Sequence, residues 1–155
     1  MSDSECRNAL VAILQGMTTY FPANAQTGEI PVNLGRATVL DTGVSHAAVF
    51  YPGRFESEDS VAYQSPKHWE LVFDLFQRMD SDEATNWANF IALQGAVVAE
   101  IDRWPHLNKT NGVSSVTVSA DNDPIIVKRT TTSQEFIWQS IRVRVVQYVD
   151  IVPKE

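Results

Sequence analysis

The chain is short of the residues on which most small functional sites are built. Its 155 residues include one cysteine, Cys6. Neither an intramolecular disulfide nor a thiolate metal cluster can form, and a disulfide-stapled secreted scaffold is excluded. Positive charge is scarce, with 12 Lys+Arg against 19 Asp+Glu and a net charge of -7. Surfaces that grip nucleic-acid phosphates or anionic bilayers are normally basic, so this balance argues against both roles. Long apolar runs are missing too. The stretch Ala9 to Leu14 is too short to span a bilayer or to target, and Met1-Ser2-Asp3-Ser4-Glu5 forms no basic n-region. The expectation is a protein made and kept in a cytoplasm-like compartment unless it leaves inside something larger. The seven glycines form no GxGxxG and no GxxxxGK[ST], and no GxSxG elbow is present, so the usual phosphate cradles and the hydrolase nucleophile turn are absent. Asn108-Lys109-Thr110 has the spacing of a glycosylation acceptor, but no secretory signal gives it meaning.

What is present suits one ordinary domain. An apolar fraction of 44% with 20% charged residues is enough for a core, and the length leaves no chain for a second one. Ser2 and Glu5 stand in capping-box relation ahead of Cys6, Leu10, Ile13, Leu14 and Met17 at helical spacing, which predicts a helix over 2–19. Pro22, Gly28, Pro31 and Gly35 then make 20–35 a long polar connection. Short β-type runs follow: Ala37 to Leu40, a turn at Asp41-Thr42-Gly43, and Ala47 to Tyr51, ending at Pro52-Gly53. The polar stretch over 52–67 reads as a second loop or extended arm. Trp69, Leu71, Phe73 and Leu75 alternate with polar neighbours and predict a half-buried strand. Asp80 with Glu83 opens a helix over 81–103 that carries Trp87, Phe90, Ile91, Val97 and Ile101 and is stopped by Pro105. After the loop 108–112, β-type runs cover 113–120, 125–130 and 136–152. The order α-β-β-β-α-β-β-β predicts an α+β domain, an antiparallel twisted sheet packed on one face by two helices. With no βα alternation, a nucleotide crevice at a parallel switch point is not expected.

His46, His68 and His106 lie on separate elements without ligand spacing, which favours scattered structural histidines over a metal site. Asp80-Ser81-Asp82-Glu83 fits a helix start, and Asp121-Asn122-Asp123 fits a turn between strands. An EF-hand begun at Asp121 would place Ile126 where glycine is needed and Thr132 where glutamate is needed. Glu70 and Asp74 share the strand face opposite the apolar row, a place for solvated or interface carboxylates rather than an acid/base pair. Cys6, among apolar neighbours, reads as a small core residue rather than a nucleophile. Arg142 and Arg144 form a small basic stripe on the last strand, suited to pairing with acids on a neighbouring strand or subunit. Trp69 and Trp87 fall on core-facing positions, and Trp104 beside Pro105 could serve as a contact anchor.

The layout as a whole resembles the tail terminator proteins of long-tailed bacteriophages, small neck proteins that cap the tail tube and join it to the head. The resemblance is carried by the N-terminal helix from Asn8 to Leu14, the strand His68 to Leu75, and the helix ending Ile101-Asp102-Arg103-Trp104-Pro105-His106-Leu107. The closing strand Phe136 to Val145 belongs to the same pattern. It spans nearly the whole chain and contains no diagnostic motif. It implies an α+β fold, no catalysis and no cofactor, and a homohexameric ring in the virion, made in the host cytoplasm. The implied partners are other copies of the chain, the tail-tube protein and a head-completion or connector protein, with DNA only passing through the lumen and no membrane. Under this reading the expected subunit or axial contacts are Arg36, Asp41, Arg54, Glu56, Glu58, Asp59, Arg142 and Arg144, and acids such as Glu70 and Asp74 could line the DNA path and repel phosphate. The alternative from another class is a small α+β enzyme or ligand binder of the cone-shaped or hot-dog kind, with His46, His68 and Asp74 as its polar residues.

Overall fold

A computed structural model of the chain describes residues 3–21, 46–57, 64–80, 82–107, 112–128 and 135–150. Helix α1 (Asp3–Gln15) buries Cys6, Leu10, Ile13 and Leu14, a helical stripe at three- and four-residue spacing. It is shorter than the predicted 2–19. Gly16, a poor helix former, follows its last residue, and the chain then turns so that Phe21 enters the core with its N–H on the Met17 carbonyl at 2.8 Å.

The sheet is antiparallel throughout. Strand β1 (His46–Ser57) pairs with β2 (Gln64–Arg78), and β2 pairs along its full length with β5 (Glu135–Asp150). The far side of β5 carries β3 (Val113–Ala120) and β4 (Ile125–Lys128), giving the order β1-β2-β5-β3 with β4 also on β5. Two expectations are corrected here. The span 52–67 is not one loop, because strand pairing continues to Ser57↔Lys67 and begins again from Gln64. A register shift between Tyr51 and Arg54 takes up Pro52-Gly53, and a bulge of that kind accommodates a proline that cannot donate to the ladder. Nor does Asp121-Asn122-Asp123 reverse the chain between strands. From Ala120↔Ile141 to Ile125↔Trp138, five steps along the edge face three along β5, so β3 and β4 are one edge strand interrupted by a wide bulge. Asn122 fastens it: its side-chain oxygen accepts from the Ser140 N–H at 2.9 Å and its carbonyl accepts from Gln139 Nε2 at 2.8 Å. The predicted strand at 37–40 and the connection beyond Phe21 lie outside the described residues.

Both helices cover the same sheet face. Helix α2 (Glu83–Asp102) buries Asn86, Phe90, Leu93, Val97 and Ile101. Together with α1 it closes a core over Trp69, Leu71, Phe73 and Leu75 of β2 and Ile137, Ile141, Val143 and Val145 of β5. Phe50 and Phe73 face each other there at a centroid distance of 5.0 Å. The N-cap of α2 is Asp82 rather than Asp80: its carboxylate accepts from the Thr85 N–H at 3.4 Å and the Thr85 hydroxyl at 2.7 Å. Those hydrogen bonds, chiefly the hydroxyl, hold the Asp82 carboxyl below its ordinary pKa. Asp80 is instead locked by its backbone, giving its N–H to Asn86 Oδ1 and accepting from Asn86 Nδ2. Beneath α1, the buried Gln147 Oε1 accepts from Trp69 Nε1 at 3.0 Å and lies 3.7 Å from Cys6 Sγ, so the one thiol sits in the core.

The opposite sheet face is not bare. Ala47, Val49, Phe76 and Phe136 form a second buried cluster, with Val127 and Trp138 packed against it.

Candidate interaction surfaces

Strand alternation sends His68, Glu70, Val72 and Asp74 of β2 to the face away from the helices, opposite Val146, Arg144, Arg142 and Ser140 of β5. On that face Arg142 lies between two acids. Its Nη2 donates to Asp121 Oδ2 at 3.2 Å, its Nε is 3.1 Å from Asp121 Oδ1, and its Nη1 is 3.6 Å from Glu70 Oε1. Arg144 Nε reaches the same Glu70 oxygen at 3.3 Å. The bulge delivers Asp121 to this ladder, and the cross-strand register delivers Glu70. The basic stripe therefore meets acids within the chain, while the buried Arg142 Nε, though close to Asp121, makes no hydrogen bond. The Arg144 side chain remains 61% exposed and Arg142 30%. Asp74 departs from expectation: it is 7% exposed, buried beside Val49, its register partner on β1, so it is not a surface carboxylate.

Of the other predicted contacts, Arg54 and Glu56 occupy β1 positions in register with Glu70 and His68. Arg36, Asp41, Glu58 and Asp59 lie outside the described residues. The polar residues of the pocket alternative do not converge. His46, in register with Gln77 and edge-on to Tyr20 at 6.0 Å, belongs to the helix-covered side, while His68 and Asp74 belong to the other. His106 sits after α2 with Nδ1 2.8 Å from the Val113 carbonyl oxygen. Among the described residues no three His, Cys, Asp or Glu side chains gather as a metal-binding group, and no helix is long and apolar enough to cross a membrane. Trp69 is buried as expected. Trp87 and Trp104 are half-buried against the core, with Trp104 Nε1 on Glu100 at 3.4 Å.

The surface that sequence reasoning missed lies along the β3–β4 edge and the flank of α2 beside it. Between Glu83 and Glu100 the sequence of α2 contains no charged residue. Its inward positions fill the core, yet Ile91 on the outer side is 63% exposed. An open groove of about 490 Å³ runs between α2 and the sheet edge, lined by Ile91, Gln94, Gly95 and Val98 on the helix and Val118 and Ala120 on β3. Gln94 Nε2 donates to Gln139 Oε1 at 2.6 Å, and Gln139 passes the link to Asn122, so the groove floor and the bulge are tied together. Farther along the same edge, Ile125 and Ile126 of β4 are 47% and 40% exposed. The signal available in the sequence was the uncharged helix itself, since an outer helix face normally carries charge.

No protein-family model matches the chain, and no curated protein matches it in sequence.

Proposed function

We propose that the protein is a structural ring subunit of a long-tailed phage neck, of the tail-terminator kind. In this reading it caps the tail tube, meets the head connector on its other axial face, and lets DNA through its lumen. The observation that carries the proposal is α2: a helix with no charged residue between Glu83 and Glu100 and with Ile91 exposed on its outward side, in a chain with ample charge elsewhere, fits a subunit whose helix is covered on assembly. The chain-long layout supports it, as does the antiparallel sheet with both helices on one face, in which, among the described residues, the outer sides of β1 and of β3 and β4 pair with no further strand. The net charge of -7 suits a conduit that must not hold DNA. Multi-angle light scattering and negative-stain imaging of the full chain, alone and with tail-tube protein, test the proposal. Rings or tube-end caps are the expected result. A chain that stays monomeric and ignores tube ends refutes it.

A further inference from the structure

Against β5, the strands β3 and β4 are out of step by two residues. Thr117↔Arg144 and Ala120↔Ile141 share one register, and Ile125↔Trp138 to Lys128↔Glu135 share another, displaced from it by two. A displacement of two leaves every side chain on its own face, because strand alternation has the same period. Continued without the bulge, the β3 register would set Asp123 opposite Trp138, Pro124 opposite Ile137, Ile125 opposite Phe136 and Ile126 opposite Glu135. The chain is equipped for that second arrangement. Trp138 Nε1 is buried and no described residue accepts from it, and the straight register brings the Asp123 carboxylate to its side of the sheet. Phe136 keeps an apolar neighbour, since Ile125, now 47% exposed, would take the place of Val127. The Asp121 N–H already donates to the Ser140 carbonyl at 2.9 Å, while the Ser140 N–H turns to Asn122 Oδ1 instead of the Asp121 carbonyl that a regular ladder offers. With Ser140 aiming its backbone at the edge, Ile137 aims its own away, so a proline opposite it leaves no ladder bond unmade.

We propose that β4 is a two-register element, locked in the bulged register by Gln139 and Asn122 and able to slip two residues into line with β3 when that lock is released. The lock is set from α2. Gln139 is 3% exposed, and its amide accepts from Gln94 Nε2 at 2.6 Å and donates to the Asn122 carbonyl at 2.8 Å. The bulged register holds the native chain because slipping would strip the buried Gln139 of its acceptor. Against that, the straight register regains the Asp121–Ser140 ladder bond and gives the Trp138 indole a partner, so the two states differ by few interactions. The slip carries Asp123 and Lys128 roughly 7 Å along the edge. A hydrogen bond on the helix-covered face thereby decides which charges stand where along β4. The device lies within a single chain and operates whether or not that chain forms a ring.

Paired cysteines read the register directly, because a disulfide closes only between directly opposed positions. In the full chain carrying Cys6→Ala, Lys128→Cys with Glu135→Cys bridges the bulged register, and Ile126→Cys with Glu135→Cys bridges the straight one. Under mild oxidation the first pair should close quickly and the second slowly. Adding Gln139→Leu should speed closure of the second pair by about tenfold and slow the first. Asn122→Ala, at a half-buried position of the bulge, should do the same and serves if Gln139→Leu fails to fold, which circular dichroism and the melting temperature reveal. In NMR spectra of Asn122→Ala without added cysteines, the indole N–H of Trp138, assigned through Trp138→Phe, should move downfield. Adding Asp123→Ala should abolish that move, and a move that persists refutes the pairing with Asp123. If the second pair closes no faster in either folded variant than in the parent, β4 has a single register and the proposal falls. If both pairs slow together, β4 has come loose rather than slipped, which also overturns it.

Discussion

Replacing Gly112 by alanine would strike the point where the chain joins the sheet edge after α2. Gly112 has φ +79, and a Cβ built on it would lie 2.1 Å from the carbonyl oxygen of Tyr148 and 3.2 Å from its carbonyl carbon. Both are backbone atoms of β5, so no side-chain rotation relieves the overlap. Ordinary contact would require the two segments to part by more than an ångström, and they are joined there by the Tyr148 N–H on the Gly112 carbonyl at 2.8 Å. The left-handed backbone costs an alanine about 1 kcal/mol. Losing the hydrogen bond costs about another. Shifting Val113, buried next to it, out of register with Gln147 brings the total to about 2–4 kcal/mol. For a domain of this size that lowers the melting temperature by about 5–10 °C. Urea unfolding followed by tryptophan fluorescence measures it, with Gly95→Ala as the contrast. Gly95 has nothing within 4 Å of an added Cβ and lies within α2, so alanine there should stabilise the fold by about 0.5–1 kcal/mol. If Gly112→Ala unfolds within about 0.5 kcal/mol of wild type, the reasoning about this close approach is wrong.

Other consequences can be measured alongside. Burial pushes the His46 imidazole below its ordinary pKa of 6.5, and the charge of Arg78 adds to that. The unfolded chain therefore takes up this proton first, so His46 contributes its full stability above about pH 6.5 and loses it as pH falls through the lowered folded value. Urea midpoints between pH 5 and 7.5 should show that slope, and His46→Gln should flatten it. Arg142→Ala should cost about 1–2 kcal/mol because Asp121 then loses its cation and Glu70 keeps only Arg144, whereas Arg144→Ala, at a mostly exposed position, should cost under about 0.5 kcal/mol. Equal effects in thermal melts would count against the geometry of that ladder. Charge reversal at Arg142 should lower the stability of the single subunit itself, so a loss of assembly in that variant would not by itself report an intersubunit contact.

Periodicity made much of the fold readable, because burial of one face writes itself into the sequence. The row Trp69, Leu71, Phe73, Leu75 and the row Ile141, Val143, Val145 face the same core, and the helical spacing of Phe90, Val97 and Ile101 marks the inner side of α2. Two things escaped. Pro52-Gly53 reads locally as an ending, and only the pairing of β1 with β2 across it reveals a bulge, a tertiary fact. Asp121-Asn122-Asp123 likewise has turn chemistry, yet β5 offers a partner on both sides of it and the strand resumes. At the site level, Arg142 and Arg144 were legible as a stripe that would seek acids, but the identity of those acids depends on register. Asp74 looked solvated because alternation names a face without saying whether that face is covered, and Ala47, Val49, Phe76 and Phe136 show that it is buried nearby.

The long strand β5 has a consequence for how the chain folds. β5 is the middle of the sheet in space and the last of its strands in order, and its closure joins Gln64 to Asp150 across 86 residues. On the ribosome the β1–β2 hairpin and α2 emerge with the apolar row of β2 still waiting for its neighbour, and the edge formed by β3 and β4 has nothing to lie against. Neither half of the sheet can persist alone, because a two-stranded hairpin is marginal in water and the contacts that complete it are distant in sequence. The sheet is complete only once β5 is free to pair with β2 along its full length. The order of the strands thus makes β5 the piece on which the whole sheet waits.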